Sequence, residues 1–115
     1  MKPTHYHCDF WKQSFWFCIG WSHQDMTAYL KKNHNHEPDL SQKAGTLFAV
    51  PQKSGATVYL LWTRKKHAAL VAHECVHAAN TLLLSRGWKP ELDNDEPQAY
   101  LVEALVSAAL GLKVV

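Results

Sequence analysis

Residues 64–86 read RKKHAALVAHECVHAANTLLLSR, contain neither glycine nor proline, and are followed by Gly87. A run of this length and composition predicts a long α-helix that begins after Thr63, a candidate N-cap, and ends at the glycine. Apolar side chains cover most of the helix circumference, which predicts a position in the middle of the fold. One polar stripe interrupts them, formed by His73, His77 and Asn80.

The rest of the chain contains three strand-like segments. Residues 14–20, 45–50 and 57–63 are short apolar runs with aromatic or β-branched side chains. The last two are separated by the turn-forming residues 51–55, which predicts a β-hairpin. We expect the three strands to form one small sheet.

Two further helices are predicted. The first starts with a capping-box pattern at Ser22 and runs to about Lys32. The second follows the N-cap candidates at residues 93–95 and continues to about Leu110. Because no repeat or linker divides residues 1–115, we expect a single α+β domain. In it, a three-stranded sheet packs on a backing helix and on the long helix, and a C-terminal helix follows.

Composition places the chain among ordinary globular proteins. Of its 115 residues, 47% are hydrophobic and 19% are charged, which excludes an intrinsically disordered chain. The formal net charge of +2 is too small to favour binding driven by nucleic-acid phosphates. No apolar run has the length of a signal peptide core or a transmembrane helix, so we expect a cytoplasmic protein without a membrane partner. The three cysteines are an odd number, which suits reduced thiols.

The polar stripe of the long helix contains the sequence His73-Glu74-Cys75-Val76-His77, an HExxH motif. Four residues advance a helix by about 6 Å, so both imidazoles lie on one face and can reach one zinc ion. Glu74 is offset by about 100° and can approach a zinc-bound water as general base, whereas Cys75 points to the core. Burying these polar groups on an apolar helix costs free energy unless a metal satisfies them. The alternative to a metal site is that these polar residues form a helix face turned to solvent.

A catalytic zinc site usually has three protein ligands and a water molecule, so another ligand is needed. The HExxHxxGxxH pattern of metzincins is excluded, because its third histidine position is Leu83. A carboxylate from the last helix remains, either Glu96 or Glu103. These two share a helix face about 10 Å apart along the axis, so periodicity does not choose between them.

HECVH at residues 73–77, followed by a carboxylate at the start of the next helix, resembles the gluzincin branch of zinc metallopeptidases. The small size is similar to that of minimal gluzincins and of HExxH proteins from phage and prophage genomes. The resemblance implies a zincin-like fold with Glu74 as general base. It implies three zinc ligands: His73, His77 and Glu96.

The chain departs from the gluzincin pattern after the proposed ligand Glu96. Pro97 and Tyr100 stand where gluzincins commonly have alanine and often an acidic residue. Glu103 therefore stays an alternative third ligand, and Asp95 is the candidate of third choice.

The resemblance implies a zinc-dependent metallopeptidase that hydrolyses peptide bonds in a peptide or protein substrate. Strand 57–63 lies next to the long helix in sequence and is a candidate to align an extended peptide by strand addition. Tyr100 is a candidate oxyanion donor, but we expect it to pack in the core. The alternative function is a non-catalytic, metal-stabilised interaction protein, such as a phage or prophage effector. A nucleic-acid-binding module has only the aromatic residues in its favour.

The amino terminus contains a second group of metal-binding residue types. His5 and His7 would face the same side of an extended chain, with Cys8 adjacent, so a second metal site is conceivable there. We expect a polar, frayed terminus instead. His34 and His36 are expected to be solvated loop histidines.

Overall fold

The computed structural model describes residues 1–112, which form an α+β fold with a four-stranded mixed sheet and three helices. The elements in chain order are β1 (Thr4–Cys8), β2 (Gln13–Ile19), α1 (His23–His34), β3 (Gly45–Pro51), β4 (Thr57–Thr63), α2 (Ala68–Ser85) and α3 (Glu96–Leu110). Within this part of the chain, no helix combines the length and apolar character needed to cross a membrane. All three cysteines are free, in agreement with the prediction of reduced thiols.

The sheet has the strand order β1-β2-β4-β3. β3 and β4 pair antiparallel, which confirms the predicted hairpin, and β2 runs parallel to β4 through the crossover that contains α1. The prediction of three strands was wrong, because Thr4–Cys8 forms a fourth strand, antiparallel to β2, rather than a frayed terminus. Its alternation explains this: Tyr6 and Cys8 pack into the core, while His5 and His7 point to the other face.

Helices cover both faces of the sheet. On one face, α1 packs Met26 and Leu30 against Leu60 and Trp62. On the other face, α2 and α3 enclose a larger core that contains Phe15, Phe17, Tyr59, Leu61, Leu82 and Leu105. β4 is therefore apolar on both sides, which is why residues 57–63 read as a continuous apolar run.

The helix termini follow the predicted signals except at the start of α2. Ser22 caps α1 by accepting a hydrogen bond from the Asp25 N–H, and Asp95 is the N-cap of α3. α2, however, begins at Ala68 instead of Arg64. Thr63 still belongs to β4, and its hydroxyl donates to the carbonyl of Lys65, so the connecting residues bend before the helix starts.

α2 is only half enclosed. Its buried side chains are Val71, Glu74, Cys75, Ala78, Ala79, Leu82 and Leu83, whereas His73, Val76 and His77 are exposed. The expectation of a helix surrounded by core was therefore wrong for the polar stripe. α2 lies against β4 and β3 on one side and against α3 on another, and it leaves one face open to solvent.

Trp62 ties β4 to the segment that follows β2, because its fully buried indole N–H donates to the carbonyl of Trp21 at 2.9 Å. We expect Trp62→Phe to lower the free energy of unfolding by about 1–3 kcal/mol, since it removes this hydrogen bond and leaves a void. Urea unfolding followed by circular dichroism measures the change. Trp88→Phe is the matched control, because no residue within 1–112 accepts a hydrogen bond from the buried Nε1 of Trp88. Equal losses in the two variants would contradict this role of Trp62.

Candidate metal centre

α2 brings His73, Glu74 and His77 together on adjacent turns. One ligand atom from each of the three side chains lies within 4.8 Å of the other two. Among residues 1–112 these three form the single group of this kind. The structure thus assembles the two histidines and the glutamate that the motif predicts.

The two imidazoles are spaced as ligands of one ion would be. The Nε2 atoms of His73 and His77 are 3.2 Å apart, and the rings meet edge to face. Two nitrogens at tetrahedral positions around zinc would be about 3.3 Å apart, given Zn–N bonds of about 2.05 Å. The same distance also allows one ring N–H to donate to the other ring. The spacing therefore fits both a shared metal ion and a hydrogen bond between the two rings.

The three residues of the candidate centre are not all buried, contrary to the prediction from the sequence; only Glu74 is. His73 and His77 are exposed, so the argument that burial alone demands a metal does not hold for the imidazoles. Glu74 is only 7% exposed, but it lines a groove that opens to solvent, so burial does not demand a metal there either. Within residues 1–112, Glu74 has neither a hydrogen bond nor an ion pair from another side chain. A cation held by the imidazoles would therefore meet a carboxylate that no other side chain engages.

Gly45, the first residue of β3, makes room for Glu74. A Cβ atom at position 45 would lie 3.4 Å from Cγ of Glu74 and only 2.7 Å from the carbonyl oxygen of Trp62. No side chain fits between these atoms without moving backbone. Sequence reasoning missed this role, because a glycine at the start of a strand is ordinary.

A groove of about 540 Å³ opens beside the candidate centre, between α2 and the start of β3. Its lining combines part of the centre with basic and apolar residues: Lys43, Ala44, Gly45, Lys65, His67, Ala69, Leu70, His73 and Glu74. The groove gives a ligand of peptide size direct access to Glu74 and His73.

α3 meets the polar stripe of α2 through a glutamine rather than a glutamate. The side-chain amide of Gln98 donates to Oδ1 of Asn80 at 2.5 Å. Glu96 is two residues earlier, which is about 200° around the helix. Its side chain lines a separate apolar cavity of about 450 Å³ with Trp11, Trp88 and other residues.

The predicted third ligands are thus not assembled with the histidines. Glu96, Glu103 and Asp95 are all exposed, and none belongs to the group formed by His73, Glu74 and His77. Glu96 as third ligand stays a prediction. Tyr100 is 67% exposed at the rim of the apolar cavity, so the expectation that it packs in the core was wrong.

Cys75 lies inside the motif but faces the core, as predicted. It is fully buried, and burial raises the pKa of its thiol to about 12. Because the thiolate is the metal-binding form, this cysteine does not compete with the histidines.

The strand expected to align a peptide is not available. β4 pairs with β2 on one edge and with β3 on the other, so its backbone groups are already used. Within residues 1–112 the open edge on the α2 side of the sheet belongs to β3.

No protein-family model, curated protein or solved structure matches the chain.

We expect Gly45→Ala to destabilise the chain by about 1–3 kcal/mol, because the added methyl group overlaps the carbonyl of Trp62. The shift it forces should also displace Glu74. Urea unfolding measures the first effect. Ala49→Ser, on an exposed position of the same strand, is the control and should change the free energy of unfolding by less than about 0.5 kcal/mol. A Gly45→Ala variant as stable as this control would show that β3 does not approach α2 so closely.

Proposed function

We propose that the chain is a zinc-dependent metallopeptidase of the minimal gluzincin type, with His73 and His77 as metal ligands and Glu74 as general base. One observation carries the proposal: Glu74 stands beside two imidazoles whose Nε2 atoms are 3.2 Å apart, and one ligand atom from each of the three residues lies within 4.8 Å of the other two. A divalent cation bound by the imidazoles satisfies all three groups at once.

The donor set fits zinc. Neutral imidazoles are good zinc ligands, and the exposure of both rings leaves space for further ligands on the solvent side. We propose Glu96 as the third protein ligand on the basis of the gluzincin resemblance. In this structure Glu96 lies outside the group formed by His73, Glu74 and His77 and lines the apolar cavity, so its ligation would need a movement of its side chain or of α3.

Zinc, when bound, supplies Lewis acidity that polarises a carbonyl group and lowers the pKa of a water molecule. The protein's own contribution lies in Glu74. Its carboxylate oxygen accepts the proton of the attacking water and passes it to the leaving amine nitrogen. Packing against Gly45 holds the carboxylate in place and excludes bulk solvent from one side.

The open edge of β3 offers a place for the substrate. Its first residue, Gly45, lies against Glu74, so a peptide hydrogen-bonded to this edge would run past the carboxylate. Strand addition of this kind uses main-chain hydrogen bonds and leaves the substrate side chains to find pockets.

A second function is favoured by the missing third ligand. Residues 1–112 assemble two imidazoles and one buried carboxylate, without a further acidic residue in the group. A metal held in this way suits a non-catalytic interaction protein, in which the ion stabilises the exposed face of α2 for a partner. The phage and prophage resemblance is compatible with such an effector.

We expect the purified chain to bind about one zinc ion, and His73→Ala and His77→Ala to weaken binding by more than about 100-fold. This exceeds the roughly 10–100-fold cost of losing an outer-shell partner. Competition titration with a chromophoric chelator measures the affinity. His67→Ala is the control, since this exposed histidine lines the groove but lies outside the group. Stoichiometric zinc retained in His73→Ala would refute the ligand assignment.

The third ligand is tested in the same titration. Glu96→Ala should weaken zinc binding, whereas Glu103→Ala should leave it unchanged. A larger loss in Glu103→Ala would transfer the role to that residue. No loss in either variant would favour the two-histidine centre of the interaction protein.

We expect Glu74→Gln to retain zinc and the fold but to lose peptide hydrolysis by about 10²–10⁴-fold, because the amide does not accept the proton. Hydrolysis is measured with a mixed peptide pool by mass spectrometry. Glu37→Gln is the control, because it makes the same chemical change at an exposed glutamate that pairs with Lys31 and lies outside the candidate centre. Unchanged hydrolysis in Glu74→Gln would exclude the role of Glu74 as general base. If the zinc-loaded chain hydrolyses no peptide at all, the non-catalytic interaction protein is the function that remains.

A further inference from the structure

The chain has an uneven distribution of charge around the candidate centre. Between Asp39 and Glu74 it contains no acidic residue, although several lysines and one arginine fall in this interval. Two of these lysines, Lys43 and Lys65, stand on the walls of the groove that opens beside Glu74. The groove therefore has a positive rim on an otherwise nearly neutral protein.

Both lysines are attached to backbone that the fold holds in place. The segment that precedes β3 is fastened by Arg64, whose backbone N–H donates to the carbonyl of Ala44. The guanidinium of Arg64 donates to the carbonyls of Leu40 and Ser41 at 2.9 and 3.0 Å. The backbone of Lys65 is fixed on the other side by the hydroxyl of Thr63. The two walls are thus tied together at the backbone positions from which the lysine side chains extend.

No ion pair among the described residues neutralises the positive charge of the groove. The ion pairs formed within residues 1–112 are His7 with Asp9 and Lys31 with Glu37, so neither groove lysine has a carboxylate partner. The one acidic residue in the lining is the buried Glu74. In addition, α2 starts at the groove without a side-chain cap, so the N–H groups of its first turn remain free.

The opposite end of the polar stripe is more acidic than basic. Beyond the contact between Asn80 and Gln98, a second groove is lined by Glu91 and Asp95, with Lys89 as its one basic residue. A substrate that lies along α2 therefore meets a positive potential on the His73 side and a more acidic surface past Asn80. Such an arrangement selects the orientation of a charged ligand.

We infer that the groove formed by Lys43, Lys65, His67 and the first turn of α2 binds a carboxylate group of the substrate, on the side of His73 toward β3. The inference rests on the proposed function in taking the substrate as a peptide. The carboxylate comes either from an aspartate or glutamate side chain or from a free C-terminus. Both sources present the same planar anion to two lysines and free N–H groups.

The test uses alanine-based peptides that are acetylated and amidated, each with one glutamate, and matched peptides with glutamine instead. A third set has no acidic side chain but a free C-terminal carboxylate. Binding is measured by NMR titration of the metal-free chain, and cleavage by mass spectrometry of the zinc-loaded chain. We expect a carboxylate in the favoured position to tighten binding by about three- to tenfold at low salt, as for two partly exposed ion pairs.

Lys43→Glu and Lys65→Glu should each abolish or reverse this preference. Lys32→Glu is the matched control: it makes the same change in net charge on the exposed surface of α1, across the sheet, and should leave the preference intact. Preference for the internal glutamate or for the free C-terminus supports the inference and identifies the source of the carboxylate.

Equal binding of glutamate, glutamine and free-acid peptides would overturn the inference, as would a preference that survives both lysine substitutions. The outcome is separate from that of the peptidase proposal. A carboxylate preference that depends on Lys43 and Lys65, with no cleavage after zinc loading, would support the carboxylate site in the groove and refute the peptidase proposal. Cleavage without any carboxylate preference would support the peptidase proposal and refute the carboxylate site.

Discussion

The close approach of Gly45 to α2 is the contact on which the candidate centre depends. Only a residue without a side chain fits between the carbonyl of Trp62 and the Cγ atom of Glu74. Because the edge of the sheet closes this side of α2, Glu74 is buried there. The helical phase then leaves His73 and His77 on the open side. A single contact between strand and helix thus leaves Glu74 mostly buried at the edge of a groove, while the two imidazoles are exposed to solvent.

Much of the fold was predictable because local signals and core packing agree. The apolar runs of β2, β3 and β4, the cap at Ser22 and the N-cap at Asp95 all have a direct physical meaning in the sequence. β1 was missed because an edge strand with one polar face looks like a polar terminus. The early start assigned to α2 failed for another reason. Helix propensity continues through residues 64–67, but the hydrogen bonds of Thr63 and Arg64 hold this segment to the sheet.

The position of the third ligand shows what periodicity leaves open. Residues 96, 100, 103 and 107 share one face of α3, and the sequence alone shows this. It does not show which face turns toward α2. The structure buries Leu101 and Leu105 and directs Gln98 at Asn80, so the acidic face is turned away. The apolar spacing of Leu101 and Leu105 was a usable signal, because the two leucines lie about 140° and about 180° around the helix from Glu96.

The rotation of α2 is set by its buried side rather than by the histidines. Cys75, Ala79 and Leu82 are fully buried in the core, and their packing determines which way the exposed stripe points. The imidazoles are therefore brought 3.2 Å apart by core packing and helix spacing, before any ion binds. In the unfolded chain the Glu74 carboxylate is hydrated and the two rings move independently. A cation bound between them would meet all three groups together only in the folded chain, so its binding free energy would add to the free energy of unfolding. The same buried carboxylate that suits a general base thus couples metal binding to the stability of the helix that carries it.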